Sequence, residues 1–517
     1  MKIAIRISMA ILLAVCVMTP ASKAMADNVD GKKARNVAAY FMSAQFGNKS
    51  ITPASLEEVY TIPNVEKGIP ALYAFNVSDN RGFVIVSGTE CVEPIVAYST
   101  DGPLDPNNIP PAMQWWLGQQ ANMIAYCQNE ELEATDKVVE SWRVLEEKRL
   151  PYFGKNPKLL IIRLLETKWN QNYPYNSICP RVTNGSYDSR DRAYVGCVAT
   201  AMAQILRYWK YPVKGSGSHS YYLNEGAAGL DTVLTVNFDE AIYNYDKMPV
   251  EITPDSSAES IYEISKLGLH CGIAVDMGYS GEGSGTQSAK VKDALVNYFK
   301  YNADSINYLS RESFEFRNDN RETNPNRRDS AWVNIMINEI MNNRPVYYAG
   351  FSPYGGQDAG HAFVCDGYRD DSGFLHFNWG WGGSGDTWCN VYTAQLKPSR
   401  SPQAGVTYNF FQSNKMIVGI TPPQDSIHFD TPESIEETGS PFVGSIYPNP
   451  ASSQVTVSYM LDGYEDAMLQ VFDAAGRVVK QMEVSPVSNQ AIVNVSDLTP
   501  GVYFCRLNGY TQKFVVR

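Results

Sequence analysis

The apolar positions of this chain change period as it is read. In GKKARNVAAYFMSAQF, residues 31–46, they recur every three to four residues, which predicts a helix. ALYAFNV and GFVIVSG, joined by SDNR, predict a hairpin, and PIVAYS a third strand. From Pro110 to about Lys148 the pattern is mostly helical, with Trp115, Trp116 and Leu117 clustered. The charged, turn-rich EEKRLPYFGKNP then marks a boundary. Beyond it LLIIRLLETKWNQ reads as a helix, and Val198, Met202, Ile205, Leu206 and Trp209 form one face of the next. SAESIYEISKLGLHCGIAVDM, VKDALVNYFKY and SAWVNIMINEIMNNR predict three more helices, the last stopped by Arg344-Pro345. The pattern then switches to strands: PVYYAGF, HAFVCDGY and FLHFNWGW, with VYTAQ the weakest. Helices first and an antiparallel sheet later predict a two-lobed α+β domain over residues 151–420. The acidic, proline-containing residues 421–440 read as a linker. Six short strands within 441–517, VTVSY, LQVFD, RVVKQ, AIVNV, GVYFCRL and KFVVR, predict a small β-sandwich.

Composition narrows the class. At 517 residues the chain is too long for one ordinary domain, and 44% apolar with 19% charged content is globular. A net charge of −12 argues against a general nucleic-acid binder. Residues 1–26 have the parts of a secretory signal: Lys2 and Arg6, the apolar run from Ile7 to Met18, and Ala24-Met25-Ala26 before a mature start near Asp27. Cys16 raises a lipoprotein alternative, for which Val15 is a poor preceding residue. No later run approaches the ~18 apolar residues of a membrane helix, so no transmembrane anchor is expected. Nine cysteines, at 16, 91, 127, 179, 197, 271, 365, 389 and 505, are scattered without a C-x-x-C pair. That is neither a disulfide scaffold nor a zinc site, and most read as small buried apolar residues.

One cysteine differs. Gly196 permits a sharp turn immediately before Cys197, which begins a helix ending in Arg207, Lys210 and Pro212. At a helix N-terminus the free N–H groups and the dipole favour a thiolate; the bland alternative is a buried core cysteine. A cysteine nucleophile needs a base. Of five histidines, His219, His270 and His428 lie in a polar loop, an apolar helix and the linker, and His376 within a strand. His361 follows the glycine-rich SPYGGQDAG and begins HAFVCDGY, a position suited to facing a cleft. In LHFNWGWGG, Trp379 suits covering an imidazole–thiolate pair and Asn378 suits orienting a histidine; the bland reading is an aromatic strand end in the core. Gln171 in KWNQNYPYN carries an amide that suits donation to an oxyanion.

Together VGCVATAMAQILRYWKYP, AGHAFVCDGY, LHFNWGWGG and WNQNYPYN resemble the motifs of the streptopain family of papain-like cysteine peptidases, in that family's order, across nearly all of residues 152–400. GIAVDMGYSGEGSG and RPVYYAGF fit the same pattern. The resemblance implies a papain-like two-lobed fold, with a helical lobe and an antiparallel sheet lobe, preceded by an α+β propeptide over 27–150. It implies Cys197 as nucleophile, His361 as base, Gln171 as oxyanion donor, and Asn378 and Trp379 as active-site support. It also implies a substrate site near the Gly/Ser loop, involving Ser284 and Gly360, that prefers an apolar side chain two positions before the cut. Protein or peptide substrates are then the partners, the chain's own propeptide is an intramolecular inhibitor, and no metal or cofactor is needed. Pro212–Val236 and the loop from Ser352 to Gly360 depart from the pattern without touching the proposed catalytic residues. IYPNPASSQVTVSY, LQVFDAAGRVVK and LTPGVYFCRLNGYTQKFVVR resemble the C-terminal sorting domain of type IX secretion substrates of Bacteroidetes. That implies export through the periplasm of a Gram-negative bacterium, then release or attachment at the outer-membrane surface. A catalytically inactive surface binding protein and a cysteine acyltransferase are the rival readings.

Overall fold

The computed structural model describes residues 27–47, 51–130, 132–148, 161–185, 189–311, 325–351, 360–369, 373–390, 414–423, 443–447, 449–459, 467–473, 476–484, 490–507 and 510–517. The signal, residues 149–160 of the boundary, the loop 352–359, VYTAQ and most of the linker lie outside these residues.

The N-terminal region starts with helix α1 (Gly31–Gln45), whose first turn is capped by the Asp30 carboxylate accepting from Lys33 N at 2.7 Å. Four strands form a meander: β1 (Leu56–Asn64), β2 (Ile69–Val77), β3 (Gly82–Ser87) and β4 (Ile95–Ser99). β1 escapes the sequence reading because polar Glu57, Glu58 and Thr61 interrupt its apolar positions. Helices α2 (Pro111–Asn129) and α3 (Asp136–Glu146) follow.

The expected helix LLIIRLLETKWNQ is not formed. Its described part holds a short strand, β5 (Ile161–Arg163), and irregular chain after it. β5 pairs antiparallel with Gly367–Arg369, and the next N–H groups, Leu164 and Leu165, donate to the Asp366 carbonyl and carboxylate at 2.8 and 3.2 Å. Those groups are thereby unavailable to a helix, so tertiary pairing overrides propensity here.

Helix α4 (Cys197–Trp209) begins at the singled-out cysteine and ends on Lys210 in a left-handed conformation. The polar stretch after it forms a hairpin, β6 (Ser218–Glu225) and β7 (Leu230–Asn237), followed by α5 (Ala258–Ala274), α6 (Ala289–Asn297), β8 (Asn307–Ser310) and α7 (Pro325–Met341). The sheet lobe contains β9 (Val346–Phe351), β10 (Gly360–Arg369), β11 (Phe374–Asn378), β12 (Thr387–Asn390) and β13 (Lys415–Val418). Its strands continue directly into the N-terminal meander, in the order β1-β2-β3-β4-β12-β11-β10-β9-β13-β8. The seam is Trp388 opposite Tyr98 and Cys389 opposite Ala97.

β10 separates two cores by strand alternation. Ala362 and Val364 pack with α4, α5 and α6, while Phe363 and Cys365 pack with Trp116, Leu117 and Ile124 of α2, and with Phe377 and Trp379. The chain closes with β14 (Val443–Tyr447), β15 (Gln454–Tyr459), β16 (Ala467–Asp473), β17 (Val478–Val484), β18 (Gln490–Asn494), β19 (Gly501–Leu507) and β20 (Tyr510–Val516). These form two sheets, β14-β15-β18 and β17-β16-β19-β20, around a core of their own. The α+β class and the terminal sandwich match the reading of the sequence.

Candidate active site

Gly196 caps α4 with φ 90° and ψ 140°, a conformation that favours glycine and strains a residue with a Cβ. It also lies against the Gly/Ser loop: a Cβ there would come within 2.8 Å of Met277 Cε and 3.0 Å of the Ser284 carbonyl oxygen. This turn sets Cys197 at the head of the helix, partly exposed. Burial pushes the Cys197 thiol pKa up, while the backbone N–H groups of Ala362, Val198 and Cys197 itself pull it down; burial prevails. The Ala362 contact places the sulfur beside the residue that follows His361.

His361 is the second residue of β10 and pairs with Gly350 of β9. It is half-buried, and burial holds its pKa below the ordinary histidine value. The Trp115 indole of α2 fills the space above Gly350, 2.3 Å from where a Cβ would stand. Directly opposed residues of an antiparallel pair share a face. The indole therefore occupies the face of the sheet on which alternation puts His361.

Gln171 is half-buried. Its carbonyl accepts from Val195 N at 3.0 Å, and its N–H donates to the Asn170 side chain at 2.8 Å, so its segment is tied to the chain entering Cys197. Ser284 is buried in the loop against Gly196, with its hydroxyl accepting from Ser280 N at 3.1 Å. Gly360 is exposed at the start of β10.

Asn378 ends β11 and Trp379 follows it; both are buried. The Asn378 carbonyl accepts from Gln204 Nε2 and Gly380 N, both at 3.0 Å, and its amide donates to the Thr167 carbonyl at 2.6 Å. Thr167 Oγ1 completes the chain by donating to Gln204 Oε1 at 2.8 Å. Asn378 thus braces α4 against the segment leading to Gln171. Trp379 is fully buried; its indole donates to the Gly385 carbonyl at 2.7 Å, and its ring centroid stands 4.8 Å from that of Phe363. Gln204 was missed in the sequence; its signal is a polar residue two turns beyond Cys197 in an otherwise apolar stretch of helix.

The remaining described histidines have structural partners. His219 bonds Asp276 at 2.7 Å and Tyr298 at 2.9 Å. His270, pushed down to about 4 by burial, bonds Tyr243 at 3.0 Å. His376 bonds the buried Asp366 at 2.6 Å. Among the described residues no cluster of three or more His, Cys, Asp or Glu side chains is placed to hold a metal, and no helix is long and apolar enough to cross a membrane.

Residues 169–389, which enclose Gln171, Cys197 and His361, match the Peptidase C10 family. Streptopain from Streptococcus pyogenes is 30% identical over 363 residues, covering 68% of this chain and 81% of streptopain. The chain belongs to the peptidase C10 family. A further family relative, the thiol protease/hemagglutinin PrtT of Porphyromonas gingivalis, is 31% identical over 399 residues; the match covers 76% of this chain and 42% of PrtT. Among solved structures, a fragment of Prevotella intermedia prointerpain A superposes with a TM-score of 0.52 at 25% identity, over 71% of this chain and 99% of that one. Outside the C10 domain, residues 26–124 match the Spi protease inhibitor family, and residues 445–517 match the secretion system C-terminal sorting domain. The sorting domain assigns this C10 chain to the secreted or cell-surface products of type IX secretion.

Proposed function

We propose that this chain is a secreted cysteine endopeptidase made as a zymogen. Cys197 is the nucleophile: its thiolate attacks the scissile carbonyl to form a thioester, which water then hydrolyses. His361 pairs with the thiolate and protonates the leaving amine. Gln171 and the Cys197 N–H donate to the developing oxyanion. The loop 279–288, with Ser284, and Gly360 border the substrate, and the apolar Met277 beside Gly196 suits a preference for an apolar side chain. No cofactor enters these steps.

Residues 27–150 act as the intramolecular inhibitor. The observation that carries this reading is the Trp115 indole packed over Gly350, the cross-strand partner of His361. With the thiol pKa raised and the imidazole pKa lowered by burial, the reactive ion pair is disfavoured while this region is in place. Maturation by cleavage between about residues 145 and 158 removes it. Purified Cys197→Ala should neither mature nor cleave casein. A variant that did both at the wild-type rate would refute the assignment. In the matured enzyme Gln171→Ala should lower kcat on the order of 10²–10³-fold with little change in KM.

A further inference from the structure

The loop after β11, residues 379–386 with the sequence WGWGGSGD, reaches both halves of the proposed active site. Four of its eight residues are glycines at positive φ, so it has little stiffness of its own. Its two ends are tied together at Asp386, a side chain with no role in the chemistry above. The Trp379 N–H donates to Asp386 Oδ1 at 3.0 Å, and the adjacent Gly385 carbonyl accepts from the Trp379 indole at 2.7 Å. On one side, Asn378 pairs with Val364 of β10, which brings Trp379 next to Phe363 with ring centroids 4.8 Å apart. His361 stands two residues before Phe363, on the same face of β10. On the other side, the Gly382 N–H donates to the Trp169 carbonyl at 3.0 Å. A Cβ on Gly382 would come within 3.1 Å of Asn170 Nδ2, and the Asn170 side chain accepts from Gln171 N at 2.8 Å.

Asp386 is not placed as a stabilising charge. It is 3% exposed, and its second oxygen, Oδ2, has no hydrogen-bond partner among the described residues. Burial pushes its carboxyl pKa up to about 6; His376 of β11, the Trp379 N–H and Arg163 of β5 pull it down, and Asp366 of β10 adds to the push. A carboxyl pKa raised by burial means that the ionised form costs the fold stability near neutrality. We propose that Asp386 is a positioning residue of the peptidase: it clasps the loop 379–386 shut, and through that loop it holds Trp379 against Phe363 on the His361 face of β10 and steadies the Trp169–Asn170 segment that carries Gln171. The inference rests on the assignment of Cys197, His361 and Gln171 made above. In the unprocessed chain the loop also leans on the N-terminal region. Trp381 donates its indole N–H to Asn108 Oδ1 at 3.1 Å, and a Cβ on Gly385 would meet Met113 Sδ at 2.9 Å. Maturation removes those supports, so the clasp matters most in the processed enzyme.

The test compares processed enzymes, each cut in trans by tagged wild-type enzyme that is then removed. Asp386→Ala should lower kcat per folded molecule by about 10²-fold with little change in KM, the loss that a misplacement near 1 Å brings. Asp386→Asn keeps an acceptor for the Trp379 N–H and should recover most of that kcat. A residue that merely supported the fold would change the folded fraction, read by near-UV circular dichroism, and leave kcat per folded molecule alone. A near-normal kcat in Asp386→Ala, an asparagine variant as slow as the alanine variant, or an Asp386→Ala chain that does not fold would each overturn the positioning role. Cys197→Ala is the control. If it still cleaves casein, the catalytic assignment itself fails; normal turnover by Asp386→Ala beside an inert Cys197→Ala sinks the Asp386 inference alone.

Discussion

Substituting Gly196 by alanine tests how the proposed nucleophile is positioned without touching it. Two costs arise. The backbone sits at φ 90° and ψ 140°, which an alanine adopts only at about 1–3 kcal/mol. The new Cβ would also meet Met277 Cε at 2.8 Å, Met277 Sδ at 2.9 Å and the Ser284 carbonyl oxygen at 3.0 Å. Met277 is fully buried, so its thioether has little room to swing aside. The Ser284 carbonyl is held by the reciprocal Gly278–Gly285 bonds of 2.9 and 3.1 Å, so this loop moves only by losing them. Overpacking of this kind costs about 1–3 kcal/mol. The sum is roughly 2–6 kcal/mol, and at about 2–4 °C for each kcal/mol the peptidase-domain melting transition should fall by roughly 4–24 °C.

Calorimetry in a Cys197→Ala background, where self-cleavage does not interfere, measures that fall. Measured against Met277→Ala alone, which carries its own cavity cost, Gly196→Ala/Met277→Ala is free of the Met277 contact and keeps the backbone strain and the Ser284 contact; the glycine substitution should then cost less than in the parent chain, but not nothing. Active-site titration of the processed Gly196→Ala enzyme should show a lower kcat in the correctly folded fraction, because a displaced Gly196 carries Cys197 with it. An alanine variant that melts within a degree of its parent and turns over normally would refute the positioning argument. A glycine substitution that cost nothing in the Met277→Ala chain would refute the backbone part of it.

Three further outcomes follow from the same geometry. In the unprocessed chain burial raises the Cys197 pKa and lowers that of His361, so both groups favour their neutral forms near neutrality; iodoacetamide alkylation of Cys197 should keep accelerating as pH rises through the ordinary thiol range, and a rate already at its plateau below about pH 7 would contradict this. Gln204→Leu strands the Thr167 hydroxyl and loses a bond to Asn378 in the core, which should cost about 2–4 kcal/mol in a melting experiment and reduce kcat; unchanged stability would show that the Thr167–Gln204–Asn378 chain does not brace α4. Because the terminal sandwich has its own core, deleting residues 441–517 should leave a folded peptidase that the native host retains inside its outer membrane, and normal extracellular amounts of the truncated enzyme would refute the sorting role.

The legible parts of this protein are those where local pattern and tertiary role agree. Helix α4 announces itself because the residues that face the core also obey the helical period, and Gly196 before it has one conformational use. The place of His361 at the start of β10 is legible from the apolar strand pattern of HAFVCDGY. The segment 159–171 misleads for the opposite reason: its leucines and isoleucines fit a helix, yet Asp366, some 200 residues away in sequence, captures the N–H groups that a helix would use. Asn378 shows a subtler limit. Its neighbourhood in the sequence marks it as important, but its partner Gln204 is visible only once β11 and α4 are side by side. The hairpin β6–β7 is hidden because its first strand, SHSYYLNE, sets Tyr221 and Tyr222 among polar residues on a mostly exposed ribbon, which resembles loop composition.

What the sequence shows least is that the N-terminal region supplies four strands of a shared eleven-stranded sheet. β4 completes the edge of β12, and Trp116, Leu117 and Ile124 of α2 share a core with Phe363, Phe377 and Trp379. Arg369 of β10 is 4% exposed, with its guanidinium donating to Gln45 of α1 and Tyr98 of β4. Each large apolar side chain so buried is worth about 1.5–3 kcal/mol, and Arg369 without its partners is a charge at an apolar seam. A chain synthesised without residues 27–148 must therefore fold with an open strand edge and an uncovered aromatic face, both of which favour aggregation. A matured enzyme, cut after folding, needs only to unfold slowly. We expect residues 151–517 refolded alone from denaturant to yield far less active enzyme than the full chain refolded and then processed. Adding residues 27–148 as a separate polypeptide should raise the yield of folded Cys197-containing protein while inhibiting it until removed. The assay is active-site titration after separating the two pieces. Equal yields with and without the N-terminal polypeptide would show that the sheet lobe folds independently, and that the shared sheet serves inhibition alone.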